Sequence, residues 1–386
     1  MNQIVIIVFY FGQFPWYYDF FINSCLNNPN VDFLFFSDNF KKKEQTKNLT
    51  KFPFSLENFN TLSSNKLKMK IDVKGGYKIC DFRPAFGVVF EDYIIGYEFW
   101  GYSDIDLIFG RITEFINNEI LQNFDFVSVK AEYPSGYFAI VKNNIEMNEI
   151  FRQSKDYEYI FQEDKNMLFE ECGGYYNEVV NLGLNILDTN CKYETFHHVL
   201  EKNSDKIRLF FDFLSIEGIP GNIKYQNGIL SYKNEFEVIL YHLSHFKSNV
   251  FCRDINWKKI PQEYFISKYS FYKRRFCKIY FNLKNYVKVK LFNQYFFVNK
   301  FISQLINKKF YLKEGKFKYM NQEIMIVKIK NSYCLKIGED SYEIIFSAFN
   351  DFFFAKGKKI TYKVLHDGNG FFIDQILFDG NTIRYS

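Results

Sequence analysis

Two carboxylates one residue apart, Asp104 and Asp106, follow the apolar run Phe99-Trp100-Gly101-Tyr102 and precede Leu107-Ile108-Phe109. Acids set between apolar flanks are costly to bury unless a metal ion or a hydrogen-bond donor pairs with them. Hard divalent cations prefer oxygen ligands and bridge to phosphate oxygens, so such a pair can hold Mg²⁺ or Mn²⁺ with a phosphorylated substrate. A cation there would neutralise charge developing on a departing diphosphate. For an isolated D-x-D the alternative is a solvated turn, and the apolar flanks weigh against it.

The elements that must position this pair are legible around it. Ile4-Val5-Ile6-Ile7-Val8-Phe9 is a continuous run rich in β-branched residues, the pattern of a strand buried on both faces. Gly12 and Pro15 break it, Trp16 to Leu26 has helical spacing, and Val31 to Ser37 is a second strand ending at Asp38. A βαβ start predicts a mainly parallel α/β sheet whose ligand site lies at the carboxyl ends of its strands. Residues 39–51 read as a mobile lysine-rich loop, Ser55 to Leu67 as a helix, and Asp81 to Ile95 as a helix with Pro84 in its first turn. Strands are expected at Phe99 to Tyr102, Phe124 to Lys130 and Gly136 to Lys142. From Phe310 onward short alternating strands predict a small antiparallel β module, with a hairpin at Asp367-Gly368-Asn369-Gly370. The expected division is a catalytic domain over 1–250, a basic aromatic connection over 251–310 and an accessory β domain over 311–386.

Cys80-Asp81-Phe82-Arg83-Pro84-Ala85-Phe86-Gly87 and Gly96-Tyr97-Glu98-Phe99-Trp100-Gly101-Tyr102-Ser103-Asp104-Ile105-Asp106-Leu107-Ile108-Phe109-Gly110 together carry a resemblance. They resemble the "CDFKPAYG … YDFWGYCDLDVIFGD" core of a bacterial glycosyltransferase-like family found in surface-polysaccharide gene clusters. The opening Val8-Phe9-Tyr10-Phe11-Gly12 and the later Tyr241-His242-Leu243 are similar to further segments of that family, over roughly residues 1–250. The resemblance implies a GT-A-like, Rossmann-type sheet with a D-x-D motif, a nucleotide-sugar donor (a UDP-sugar first) and a glycan or lipid-linked glycan acceptor. It implies Asp104, Asp106 and His242 as metal ligands, with Mn²⁺ favoured over Mg²⁺ because imidazole suits it better. It also implies Phe9, Tyr10, Gly12, Asp38, Asp81, Arg83, Asp104 and Lys247 around the donor. Arg stands at position 83 where the family has Lys, and a guanidinium can pair with phosphate bidentately; a surface salt bridge is the alternative. Ser244-His245-Phe246-Lys247 departs from the family's "Q-K-R", which leaves Lys247 as the surviving basic contact. Glu170 or Glu171 would be the base that deprotonates an acceptor hydroxyl, ahead of Asp164. Gly136 would let an acceptor sugar approach the backbone, and Tyr137 is either its stacking partner or a core residue.

Composition bounds the rest. The chain has 386 residues, 24% charged and 47% hydrophobic, which excludes wholesale disorder. Its 21% aromatic content accompanies the Lys, Asn and Ile excess that AT-rich codons favour, so aromatic richness alone does not indicate carbohydrate or nucleic-acid binding. Seven dispersed Cys without a CxxC read as reduced thiols, and no basic leader precedes the first apolar run; a cytoplasmic protein is expected, on the inner face of the membrane where it docks. Twelve Lys/Arg and no acid fall in 268–313, while the net charge is +5, so the other 340 residues carry −7. That stretch is read as docking on an anionic membrane, with a solvated or inter-domain face as the alternative. No nucleic-acid motif accompanies it. Walker, GxGxxG and G-x-S-x-G signatures are absent. His197-His198 reads as a surface-helix pair. The rival class to a transferase is a non-catalytic basic module, binding membrane or nucleic acid, on a degenerate transferase scaffold.

Overall fold

The computed structural model describes residues 2–212, most of 215–273, and the backbone of eight C-terminal strands between 315 and 384. The chain divides into two compact units, Met1–Asn285 and Tyr286–Ser386. In chain order the strands of the first unit are β1 (Ile4–Tyr10), β2 (Val31–Ser37), β3 (Glu44–Thr46), β4 (Leu49–Pro53), β5 (Phe99–Ser103), β6 (Leu107–Phe109), β7 (Phe126–Ser128), β8 (Phe138–Lys142), β9 (Leu209–Phe211), β10 (Ser215–Glu217), β11 (Ile223–Gln226), β12 (Ile229–Tyr232), β13 (Phe236–Glu237), β14 (Leu240–His242), β15 (Glu263–Ser267) and β16 (Ser270–Tyr272).

The main sheet has the order β3-β4-β2-β1-β5-β8-β7-β9. Its centre, β4-β2-β1-β5, is parallel, as is β7-β9; β3-β4, β5-β8 and β8-β7 are antiparallel. This is a mixed, mostly parallel α/β sheet of the Rossmann-like kind. Strand β1 is its spine because neither face carries a polar residue. Ile4, Ile6 and Val8 enter one core with Phe20, Phe21 and Cys25 of helix Tyr18–Leu26. Val5 and Ile7 enter the opposite core with Phe59 and Leu67 of helix Leu56–Leu67. That second helix begins at Ser55, whose hydroxyl accepts from Asn58 N at 3.1 Å, while the Asn58 side chain accepts from Ser55 N at 2.9 Å.

Two smaller sheets complete the unit: β10-β14-β6, and the antiparallel β13-β12-β11-β15-β16. The unit therefore reaches Asn285 rather than ending near 250. Strand β15 pairs along the whole of β11, so the chain after 250 is needed to complete the sheet. The second unit is a meander of consecutive antiparallel strands, Gly315–Tyr319, Gln322–Ile329, Ser332–Ile337, Asp340–Phe346, Phe352–Lys356, Ile360–His366, Phe371–Phe378 and Asn381–Arg384. Residues 274–314, which hold most of the basic stretch, and the 367–370 turn lie outside the described residues.

Two local expectations are corrected. Residues 44–53 form a hairpin instead of a mobile loop. Lys47 turns it at φ 52°, and the Asn48 amide donates to Cys25 O at 3.0 Å, Asn28 O at 2.7 Å and Val31 O at 2.7 Å. The expected helix over 81–95 is instead a 3₁₀ segment, Gly76–Ala85, followed by the short α-turn Phe86–Val89 and a second 3₁₀ turn. Among the described residues, no helix is long and apolar enough to cross a membrane.

Gly101 stands where β5 meets β8, paired with Ile140. A Cβ there would overlap the Ala139 carbonyl and come within 2.6 Å of Ile140 Cδ1. Gly101→Ala is therefore expected to destabilise the first unit by roughly 1–3 kcal/mol through overpacking, read from its urea-unfolding midpoint. An unchanged midpoint would contradict this register.

Candidate functional site

The parallel registers put the relevant loops on one edge. Tyr10 pairs with Ser37, and Val8 with Ser103, so the loop after β1, Asp38 and Asp104 all follow strand carboxyl ends. A cavity of about 300 Å³ opens there. Its lining includes the aromatic side chains of Phe9, Tyr10, Phe11, Tyr17, Tyr77 and Phe86 and the polar or charged ones of Arg83, Ser103, Asp104, Asp106 and Lys247. Phe9 is fixed by stacking on Phe36 at 4.9 Å and by contact with Phe90 at 5.0 Å. Gly12 and Asp38 do not line the cavity; they bind each other, Gly12 N donating to Asp38 Oδ1 at 3.0 Å. Gly12 has φ +84°, so this carboxylate caps a turn that a glycine makes without strain.

Asp106 meets residues far along the chain because β6 pairs with β14. Leu107 lies opposite His242, and Leu243 N donates to Asp106 O at 2.8 Å. This clamp brings His242 Nε2 to 3.1 Å from Asp106 Oδ2, and Lys247 Nζ, from the following short helix, donates to the same oxygen at 2.7 Å. Burial alone would raise the Asp106 carboxyl, but His242 and Lys247 hold it well below the usual carboxylate range. Burial likewise disfavours the imidazolium, yet Asp106 and Glu217 outweigh it and push His242 up to about 9.

Asp104 is engaged differently. The Arg83 guanidinium binds Asp104 Oδ1, donates to Gly136 O, and lies 3.7 Å from Glu170 Oε1. Burial raises the Asp104 carboxyl and Arg83 opposes it; a third of the side chain still faces solvent. Arg83 is thus a buried bridge between three loops rather than a surface ion pair.

Asp81, expected beside the donor, points elsewhere. It is fully buried, accepting from Lys78 Nζ at 2.7 Å, Met167 N at 2.8 Å and Phe169 N at 2.9 Å. Its carboxylate is held by Lys78 and in turn fixes the 165–169 loop through Met167 N and Phe169 N. Glu170 and Glu171 do not line the cavity either. Glu171 accepts from Gly136 N at 2.9 Å and from the Tyr176 hydroxyl. The Glu171 carboxylate fills the space over Gly136 that was expected for an acceptor sugar. Glu170 Oε2 is buried without a partner, and burial pushes this acid well upward, helped by Asp81 and opposed by Arg83. Tyr137 is buried, its ring 4.5 Å from that of His242. His197 and His198 are buried in their helix, not on a surface face.

Sequence reasoning missed Glu217, whose Oε1 lies 3.1 Å from His242 Nδ1, and Lys130, which pairs with Glu217. Neither sits in a motif, and only the β10–β14 pairing reveals them. As a metal centre the donor types fit: Asp106 offers oxygen and His242 nitrogen at one point, a set that suits Mn²⁺. Asp104 is held off by Arg83, and among the described residues no three His, Cys, Asp or Glu side chains converge as a metal-holding group.

Residues 6–275 match the family of unknown function DUF6625, and the chain belongs to that family. No curated protein matches it. Among solved structures it is similar to the galactosyltransferase LgtC in complex with donor and acceptor sugar analogues, at 12% identity over 44% of this chain and 71% of that one, with a TM-score of 0.26. It is also similar to the apo-form glycosyltransferase GlyE of Streptococcus pneumoniae TIGR4, at 10% identity over 57% of this chain and 67% of that one, with a TM-score of 0.23. These are weak likenesses to glycosyltransferase folds.

A histidine raised in the folded state stabilises it fully below its unfolded pKa, and the stabilisation is lost as pH rises through the folded value. With His242 moved from 6.5 to about 9, the parent's advantage over His242→Asn should shrink by up to roughly 3 kcal/mol between those pH values. Urea midpoints of both proteins in chelator would show it. A pH-independent difference would mean that His242 is not held between the two acids.

Proposed function

We propose that this DUF6625 protein is a glycosyltransferase that takes its sugar from a nucleoside-diphosphate donor with the help of a divalent cation. The single observation that carries the reading is the cavity at the carboxyl edge of a parallel sheet, lined by aromatic side chains and by a cluster of charged ones. A nucleoside diphosphate offers matching groups, a flat base joined to an anion. The sequence likeness to surface-polysaccharide transferases supports the same class and a GT-A-like arrangement.

In this reading Phe9, Tyr10 and Phe11 border the base. Lys247, half exposed in the charged cluster, meets the diphosphate, with Arg83 behind Asp104 adding positive potential. Asp106 and His242 would hold the cation, Mn²⁺ before Mg²⁺, with Asp104 completing the set once its bond to Arg83 is exchanged. Bound there, the cation supplies charge neutralisation for the departing diphosphate. Glu170 and Glu171 act as supports in this scheme, since one backs Arg83 and the other fixes Gly136. A UDP-sugar donor, a glycan or lipid-linked acceptor, and work at the inner face of the membrane through 268–313 belong to the same proposal.

Thermal shift with UDP, GDP and CMP, each with and without Mn²⁺, tests it. One nucleotide should stabilise the parent in a Mn²⁺-dependent way. Asp106→Ala should abolish that dependence, and His242→Ala should weaken it less, because water can take the vacated position. Equal shifts for parent and Asp106→Ala would refute the site.

A further inference from the structure

His242 is held from more sides than a surface histidine needs. Glu217 and His242 are register partners in the parallel pair β10–β14, so the backbone itself sets their side chains abreast. Beyond Glu217 the chain is tied back to the same segment. Gly218 N donates to Ser244 Oγ at 3.1 Å, and the Tyr241 hydroxyl donates to Gly218 O at 2.9 Å. The two Glu217 oxygens are divided, Oε1 to His242 Nδ1 at 3.1 Å and Oε2 to Lys130 Nζ. Lys130 in turn lies 5.7 Å from the Tyr137 ring centre. That ring covers the imidazole at 4.5 Å, while its hydroxyl is 2.8 Å from Ser215 Oγ, two residues before Glu217.

We infer that Glu217 is a positioning residue for cation binding, with Lys130 and Tyr137 as its supports. The inference rests on the metal-assisted reading above. When Nδ1–H donates to a carboxylate, the neutral imidazole has its lone pair on Nε2, and the carboxylate makes that nitrogen a better ligand. Here Nε2 is the atom that faces Asp106. Glu217 thus selects which nitrogen can meet a cation at Asp106, and Tyr137 stops the ring from rotating out of line. Lys130 restrains the Glu217 carboxylate by occupying its second oxygen.

The test is Mn²⁺ binding to the full-length protein, followed by loss of the free-ion EPR signal, with no nucleotide or turnover involved. Far-UV circular dichroism checks that each variant is folded. Glu217→Ala should weaken Mn²⁺ by about 10–100-fold, the usual effect of losing such an outer partner. Glu217→Gln should recover most of that loss, since its amide oxygen still accepts from Nδ1–H. On a His242→Ala background, Glu217→Ala should cost nothing further. Parent-like binding by Glu217→Ala, while Asp106→Ala and His242→Ala bind weakly, overturns the inference and leaves the metal reading standing. So does an equal loss from Glu217→Ala with His242 already removed. A parent that binds no Mn²⁺ overturns both.

Discussion

A carboxylate taken out of water must be matched by a cation or by donors, because the desolvation cost otherwise runs to several kcal/mol per ion. This molecule buries acids at the carboxyl edge of its sheet, and the surrounding architecture follows from matching them. Arg83 matches Asp104, His242 and Lys247 match Asp106, and Lys78 with two backbone N–H groups matches Asp81. Apart from Lys78, three residues from Asp81, these partners come from distant parts of the chain. Arg83 joins the 3₁₀ segment to the end of β5, while β14 delivers His242 from more than a hundred residues away. Removing a partner of Asp81 or Asp106 leaves a charge that water cannot easily reach.

The same pairing explains how one edge comes to carry two kinds of surface. Aromatic residues from the end of β1 and from the 3₁₀ segment form much of the wall of the cavity. The polar groups come from the end of β5 and the turn after it, from the 3₁₀ segment, and from the short helix after β14. An aromatic wall next to a compensated charge cluster is a surface suited to a ligand with an apolar ring and an anionic tail. A fully apolar or fully charged ligand would leave half of it unmatched.

What could be read from the sequence was what depends on short-range pattern. The β1 run, the capped helix at Ser55 and the acids after Trp100-Gly101-Tyr102 are local signals, and each produced the element or placement expected of it. The 44–53 hairpin was hidden because its lysines suggest solvent, whereas the Asn48 side chain bonds three carbonyls that lie elsewhere in the sequence. Asp81 looked like a ligand contact because, with Arg83, it matches the family's "DFK" segment. On a 3₁₀ segment, with three residues per turn, residues two apart point about 120° from each other, so one faces the cavity and the other the 165–169 loop. Glu217 carried no local signal, since its meaning depends on a strand pairing that no spacing rule encodes.

The account turns on one claim, that the diphosphate of a nucleotide sits between the aromatic wall and Asp106. A crystal structure of the protein with UDP and Mn²⁺ measures this directly. The account predicts the uracil ring beside Phe9, Tyr10 and Phe11, the diphosphate within reach of Lys247, and the metal bonded to Asp106 and to Nε2 of His242. Nucleotide bound away from the cavity, or bound in it with the Asp106–His242–Lys247 contacts intact and no metal among them, would contradict it.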